Sequence, residues 1–255
     1  MGTFVNVITE SEKVYLGITE KPFSKVLDIE RKINLHRFMF ESAYNERIVY
    51  FDTETNLLEK AGIILSKTIT PEKAYFKIQR NSKLPKSFSR KKEMVFIHEV
   101  GAKDKVIDHA FFLTDGIKSL FTIQFTIDFE NVLKNVNPTL IIENKNTIYK
   151  VLSGGGFKAK LVFQSSEVKN LRTKRNEPLK LLTVELDSPA TQINAFNFFT
   201  RQIDKWCKEL IPFEDNLFDY AQRITRPLPK KEKPTKEEKQ ALLKKKKKID
   251  DQIIG

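Results

Sequence analysis

Residues 121–130, FTIQFTIDFE, alternate without a miss. Phe121, Ile123, Phe125, Ile127 and Phe129 fall on one side; Thr122, Gln124, Thr126, Asp128 and Glu130 fall on the other. A period of two predicts a half-buried strand. Residues 25–35, 46–53, GIILSKTI, AYFKIQR, 93–100, 139–152, 157–164 and 179–187 read as strands as well. TPEK forms the turn between GIILSKTI and AYFKIQR, and SGGGF forms a later one. Residues 1–20 give no clear period and read as a lead-in. LHRFMFESA reads as a short helix. Thr53 caps another, ETNLLEKA, which Gly62 ends. After Ser188 and Pro189 the period becomes helical, with Ile193, Phe196, Phe199, Ile203, Trp206 and Leu210 at steps of three and four. NLFDYAQRI adds a last helix.

So many strands with a polar side imply either a sheet wet on one face or a closed barrel with a polar lumen. The predicted domain runs over 25–226, after a lead-in at 1–24 and before a Lys-rich tail at 227–255. Net charge is +12. The tail has ten Lys against five acids, which leaves +7 for the body. Such a body favours anionic partners, and the tail is a candidate tether for nucleic acid. The one cysteine, Cys207, excludes an intrachain disulfide and fits a reducing cytoplasm. Three scattered histidines disfavour a structural zinc site. No stretch approaches a membrane span.

Within 26–36, VLDIERKINLH, the residues Asp28, Glu30 and Lys32 line up opposite Leu27, Ile29, Ile33 and Leu35. This face either meets water or lines a cavity for metal and phosphate. Same-face neighbours on a strand lie about 6.6 Å apart, so two such carboxylates can share a hard cation while the lysine meets a phosphate oxygen.

Downstream follows VYFDTETNLLEKAGIIL. Together, DIERK and YFDT…GIIL make residues 26–80 resemble the CYTH-like superfamily, the triphosphate tunnel metalloenzymes. The resemblance implies an α+β fold: an antiparallel eight-stranded β-tunnel with helices packed outside. It also implies Mg²⁺ or Mn²⁺ and hydrolysis of a phosphoanhydride in a phosphorylated small molecule or polyphosphate. Asp28 and Glu30 match the first metal acids, and Lys32 the motif lysine. Glu93 matches one acid of a later strand. Glu185 matches the late acid, with Asp187 as a substitute for its partner. Glu30 and Glu185 would be catalytic. Lys77, Arg80, Lys145, Lys158 and Lys160 would contact substrate, although Lys158 and Lys160 equally suit an outer wet face. Ser66, Thr68 and Thr147 stand where the family has arginines. That departure leaves a second reading open: a tunnel that binds an anionic ligand or a macromolecular partner without turnover.

Overall fold

The computed structural model describes residues 3–8, 12–29, 36–80, 92–101, 129–187 and 190–227. Ten strands form one antiparallel sheet: β1 (Thr3–Ile8), β2 (Glu12–Gly17), β3 (His36–Asp52), β4 (Ile63–Ile69), β5 (Ala74–Arg80), β6 (Lys92–Val100), β7 (Asn137–Ser153), β8 (Lys158–Asn170), β9 (Arg175–Leu186) and β10 (Leu210–Pro212). Their order is β1-β6-β5-β4-β3-β7-β8-β9-β2-β10. Among the described residues five α-helices accompany them: α1 (Ser24–Leu27), α2 (Leu57–Lys60), α3 (Phe129–Lys134), α4 (Ile193–Trp206) and α5 (Leu217–Ile224).

The sheet is curled. One apolar cluster takes in Val14 and Leu16 (β2), Tyr50 (β3), Ile64 (β4), Leu140 and Ile142 (β7), Val168 (β8), and Leu179 and Leu181 (β9), together with Phe218 and Ala221 of α5. Six adjacent flat strands would span about 24 Å. A helix of eight residues is about 12 Å long and about 10 Å wide. All six strands meet around it only if they wrap. α5 therefore closes one end of a channel, starting from an Asn216 cap whose Oδ1 accepts from the Phe218 N–H at 2.9 Å. Among the described residues β1 and β10 are the edge strands of the sheet.

Two clusters cover the outer face. α4 buries Phe196, Phe199 and Ile203 against Tyr15, Val151, Leu161, Phe163, Leu182 and Val184. α2 and α3 cover Leu65, Phe76 and Ile78 with Leu58, Val132 and Leu133. Among the described residues no helix is long and apolar enough to cross a membrane.

Helix α2 is shorter than expected and its N-cap position is Asn56, at φ 58°, rather than Thr53; Thr53 still serves the start of the helix, and its neighbour adds to that. The Thr53 hydroxyl accepts from the Leu57 N–H at 3.0 Å. The buried Asp52 carboxylate accepts from the N–H groups of Thr53, Leu58 and Glu59, at 2.7, 2.9 and 3.1 Å. Gly62 closes the turn at φ 69°. The Asp-Thr of YFDT is thus a structural device that turns β3 into β4. The hairpin at TPEK also forms, with Thr70 N–H donating to the Lys73 carbonyl at 2.8 Å.

Several expectations change. Residues 1–20 hold two strands of the sheet. β2 is locked in place by Tyr15, fully buried, whose hydroxyl donates to the Thr200 carbonyl. LHRFMFESA is the first part of β3, because β7 supplies a backbone partner along its whole length. Residues 24–29 turn instead of extending. Val26 and Ile29, three apart, both bury in the α4 cluster, while Leu27 is exposed. α4 ends at Trp206, which is exposed, and Leu210 leaves the helical face to pair with Gly17. Phe129 and Glu130 begin α3; the rest of FTIQFTIDFE lies outside the described residues.

His36 is 6% exposed, edge-on to Phe199, with no hydrogen-bond partner for either ring nitrogen among the described residues. Burial lowers its pKa from 6.5. The folded chain therefore binds fewer protons here than the unfolded chain. Its contribution to stability is complete above pH 6.5 and is lost as pH falls through the folded value. In urea titrations, His36→Leu should flatten the fall in stability below about pH 6.5 relative to wild type. Asp52→Ala should cost about 3 kcal/mol in the same measurement, because three backbone N–H groups lose a charged acceptor.

Candidate functional site

Register fixes which side chains face the channel. β3 has an irregularity between Phe40 and Ser42. Before it, His36 and Phe38 pack outward under α4. After it, Ser42, Tyr44, Glu46, Ile48 and Tyr50 share the inner face. Paired across from them on β7 are Ile148, Asn146, Asn144, Ile142 and Leu140. β8 continues the inner wall with Lys160, Val162, Gln164, Ser166 and Val168, and β9 with Glu185, Thr183, Leu181 and Leu179.

At the end of the channel opposite α5 lies a charged row. Lys150 on β7 pairs with Lys160 on β8, Lys160 pairs with Glu185 on β9, and Glu185 pairs with Glu12 on β2. Lys150 also forms an ion pair with Glu41 at 2.8 Å. Glu185 is half-buried. Burial pushes its carboxyl above the usual range, Lys160 opposite draws it back, and the charge of Asp187 adds to the rise.

Deeper in, the lining becomes neutral. Asn146 is 2% exposed and Thr183 is 8% exposed. The Asn146 side chain hydrogen-bonds Tyr44, and the Thr68 side chain hydrogen-bonds Tyr75. Burial raises both phenols, and Glu46 raises them further. The charge of Glu185, three strands away on β9, also reaches Tyr44, as a curled wall requires. Asn144 Nδ2 donates to Glu46 at 2.8 Å, and the Ser166 hydroxyl donates to Asn144 Oδ1 at 2.6 Å. A cavity of about 700 Å³ lies at this level, lined by Glu46, Asn144, Ser166 and Leu179 of the inner face, by Thr70 and Pro71 of the β4–β5 turn, and by the charged Arg47, Glu143, Lys145, Glu167 and Lys180 of the other face.

The expected site residues are distributed unevenly over this frame. Lys160, Glu185 and Asp187 come together at the charged row, and Lys158 follows on the same face of β8, exposed. Lys77 occupies an inner position on β5 opposite Ser66, remote from that row in register. Lys145 is exposed on the outer face; the inner positions of its strand are Asn144 and Asn146. Arg80 ends β5, paired with Ile63. Glu93 lies on β6 opposite Val7. Asp28 ends α1, half-buried, beside the α4 cluster. Glu30 and Lys32 lie outside the described residues, as does the tail from 228 onward. Among the described residues no three His, Cys, Asp or Glu gather as a metal would require.

Tyr44, Glu46, Asn144 and Asn146 were absent from the expected set. A signal existed for the last two. They share the phase of Leu140, Ile142 and Ile148, so a strict alternation of TLIIENKNTIYK places them on the buried side.

No protein-family model and no curated protein matches the chain. Solved structures with a similar fold include a putative adenylyl cyclase, HpAC1, from Hippeastrum, with a dominant triphosphatase activity (TM-score 0.48, 11% identity, 87% of this chain and 99% of that one). Another is a putative adenylate cyclase from Bacillus halodurans (0.45, 12%, 82% and 95%). A third is the inorganic triphosphatase NE1496 (0.32, 14%, 90% and 98%).

In an NMR titration of the side-chain carboxyls, Glu185 should protonate above the ordinary 4.5. Lys160→Met should move its midpoint higher still, because the lowering charge is gone. A midpoint unmoved by that change would mean the two side chains do not share the channel. The chain's own geometry is one curled antiparallel sheet with helices packed outside it and α5 at one end.

Proposed function

We propose that the channel binds a phosphorylated small molecule through the row Lys150–Lys160–Glu185, and that a divalent cation, Mg²⁺ or Mn²⁺, supports hydrolysis of its phosphoanhydride there. The observation that carries this is the cross-strand register of that row: two ammonium groups beside a half-buried carboxylate on one concave face. Of the described carboxylates, Glu185 and Asp187 are the two that would hold a hard cation, since the charge of Asp187 disfavours ionisation of Glu185 and a shared positive charge would offset it; a third protein ligand is not among the described residues. When bound, the cation would polarise the phosphoryl group and lower the pKa of a water. Lys160 and Lys150 would hold the phosphate oxygens and offset their charge.

Ser66 and Thr68 favour a second reading. Both are buried on the inner face where the family's arginines are expected. Each bidentate guanidinium contact that is missing removes about 1.5–3 kcal/mol of phosphate binding. A channel so altered would bind its ligand without turnover.

The readings separate in a phosphate-release assay with tripolyphosphate, ATP and thiamine triphosphate, each with Mg²⁺ or Mn²⁺. The hydrolytic reading expects metal-dependent release by wild type and loss of at least tenfold in Glu185→Gln. Background release from both proteins, with tripolyphosphate still raising Tm, leaves the binding reading. No release and no Tm change removes both.

A further inference from the structure

The outer side of α4 differs in kind from the side that packs on the sheet. Phe198, Arg201, Gln202, Lys205 and Trp206 recur at steps of three and four, so they share one helical face. The opposite face holds the buried Phe196, Phe199 and Ile203. Phe198 is 47% exposed and Trp206 is 40% exposed, and Arg201 and Lys205 are exposed between them. The indole N–H of Trp206 donates to Gln202 Oε1 at 3.2 Å, so its only donor is satisfied within the helix and needs no water. The Lys205 ammonium lies over the same ring at 5.2 Å. Lys208, exposed just past the helix end, donates to the Asp204 carbonyl and adds a further positive charge. The face itself carries no acid, and the acids beside it are consumed. Asp204 pairs with Lys13 at 2.8 Å, and Glu209 pairs with Lys25.

We infer that this face of α4 docks on the surface of a bilayer that contains acidic lipids, with Phe198 and Trp206 entering the interface and Arg201, Lys205 and Lys208 set against the headgroups. The two aromatics stand eight residues apart, about 12 Å along the axis, so a helix lying parallel to the bilayer seats both. Tryptophan and phenylalanine suit the boundary between headgroups and acyl chains, and basic side chains beside an anionic leaflet are attracted to it. The same stripe fits other partners less well. Protein interfaces are depleted in lysine, whereas here lysine sits between the aromatics. A nucleic acid has use for the cations, but Lys205 takes the indole face on which a base would stack. One weak membrane signal gives only marginal binding, and stable docking takes two. The second is written in the sequence as the run Lys244–Lys248. This docking needs neither phosphate nor metal in the channel.

Trp206 is the chain's single tryptophan, so its fluorescence reports the contact directly. The full chain is titrated at low salt with vesicles of equal parts phosphatidylserine and phosphatidylcholine. The emission of Trp206 should shift to the blue and be quenched by brominated acyl chains, and vesicles of phosphatidylcholine alone should cause neither change. Arg201→Gln combined with Lys205→Gln should weaken vesicle binding at least tenfold. Phe198→Ser should weaken it too, while Phe198→Leu retains it. All three positions are exposed, so Tm should stay at the wild-type value. Changing Lys244–Lys248 to Gln should lower affinity and leave the blue shift at saturating lipid. Vesicle binding with no change in Trp206 emission overturns the inference, and so does binding that the tail substitutions abolish and the α4 substitutions leave untouched. Equal response to neutral vesicles overturns it, as does a response to polyuridylate in place of vesicles. No vesicle binding at all overturns it as well.

Discussion

A single irregularity in β3 decides what the channel is made of. Between Phe40 and Ser42 the pairing with β7 slips by one residue, and Glu41 is the extra one. Because side chains alternate with a period of two, one inserted residue moves every later side chain to the opposite face. Upstream, even-numbered positions lie under α4. Downstream, even-numbered positions line the channel. Without the slip, Tyr44, Glu46, Ile48 and Tyr50 would point outward, and Asn45 and Arg47 would replace them inside. The dry cluster around α5 would lose Tyr50, and the inner wall would lose Glu46. The bulge residue is itself anchored, since Glu41 pairs with Lys150. The fold, the plug and the lining therefore depend on one register choice.

That choice explains what was legible in the sequence. Strands with uninterrupted partners could be read from their alternation: GIILSKTI, AYFKIQR and LKLLTVELD form β4, β5 and part of β9. The role of Thr53 at the start of α2 and the Gly62 stop were legible because local backbone chemistry dictates them. LHRFMFESA was not, because helix and strand patterns are both compatible with its residues and only the distant β7 decides between them. Residues 12–17 were missed for the same reason: their support comes from β9, more than 160 positions away in sequence. Tertiary pairing overrides local preference in both cases.

The candidate site was legible at one end only. Lys160 and Glu185 emerged from the late strands and do face each other. Lys145 was assigned one position away from the inner phase, because the resemblance aligned on its charge and not on the strand's alternation. The YFDT motif has a clear physical meaning that its family association alone conceals. Asp52 is consumed by three backbone N–H groups, so it is spent on architecture. A motif acid and a site acid look alike in a string of letters; hydrogen-bond accounting tells them apart.

The net charge of the body points in the wrong direction for locating chemistry. Some of the positive charge of the described residues sits in ion pairs on the outer face. Lys169 pairs with Glu143 there, and Lys13 pairs with Asp204 of α4 across the sheet–helix contact. Such exposed and half-exposed pairs contribute little to stability, and the channel wall runs from the charged row through amides and hydroxyls to the apolar cluster under α5. A triphosphate clamp concentrates cations where charge is transferred. This wall places Lys150 and Lys160 in one row and Lys77 on a separate strand, opposite Ser66. The position of α5 sets the order: the closed, dry end adjoins the amides and hydroxyls, and the charged row lies at the end that α5 leaves open.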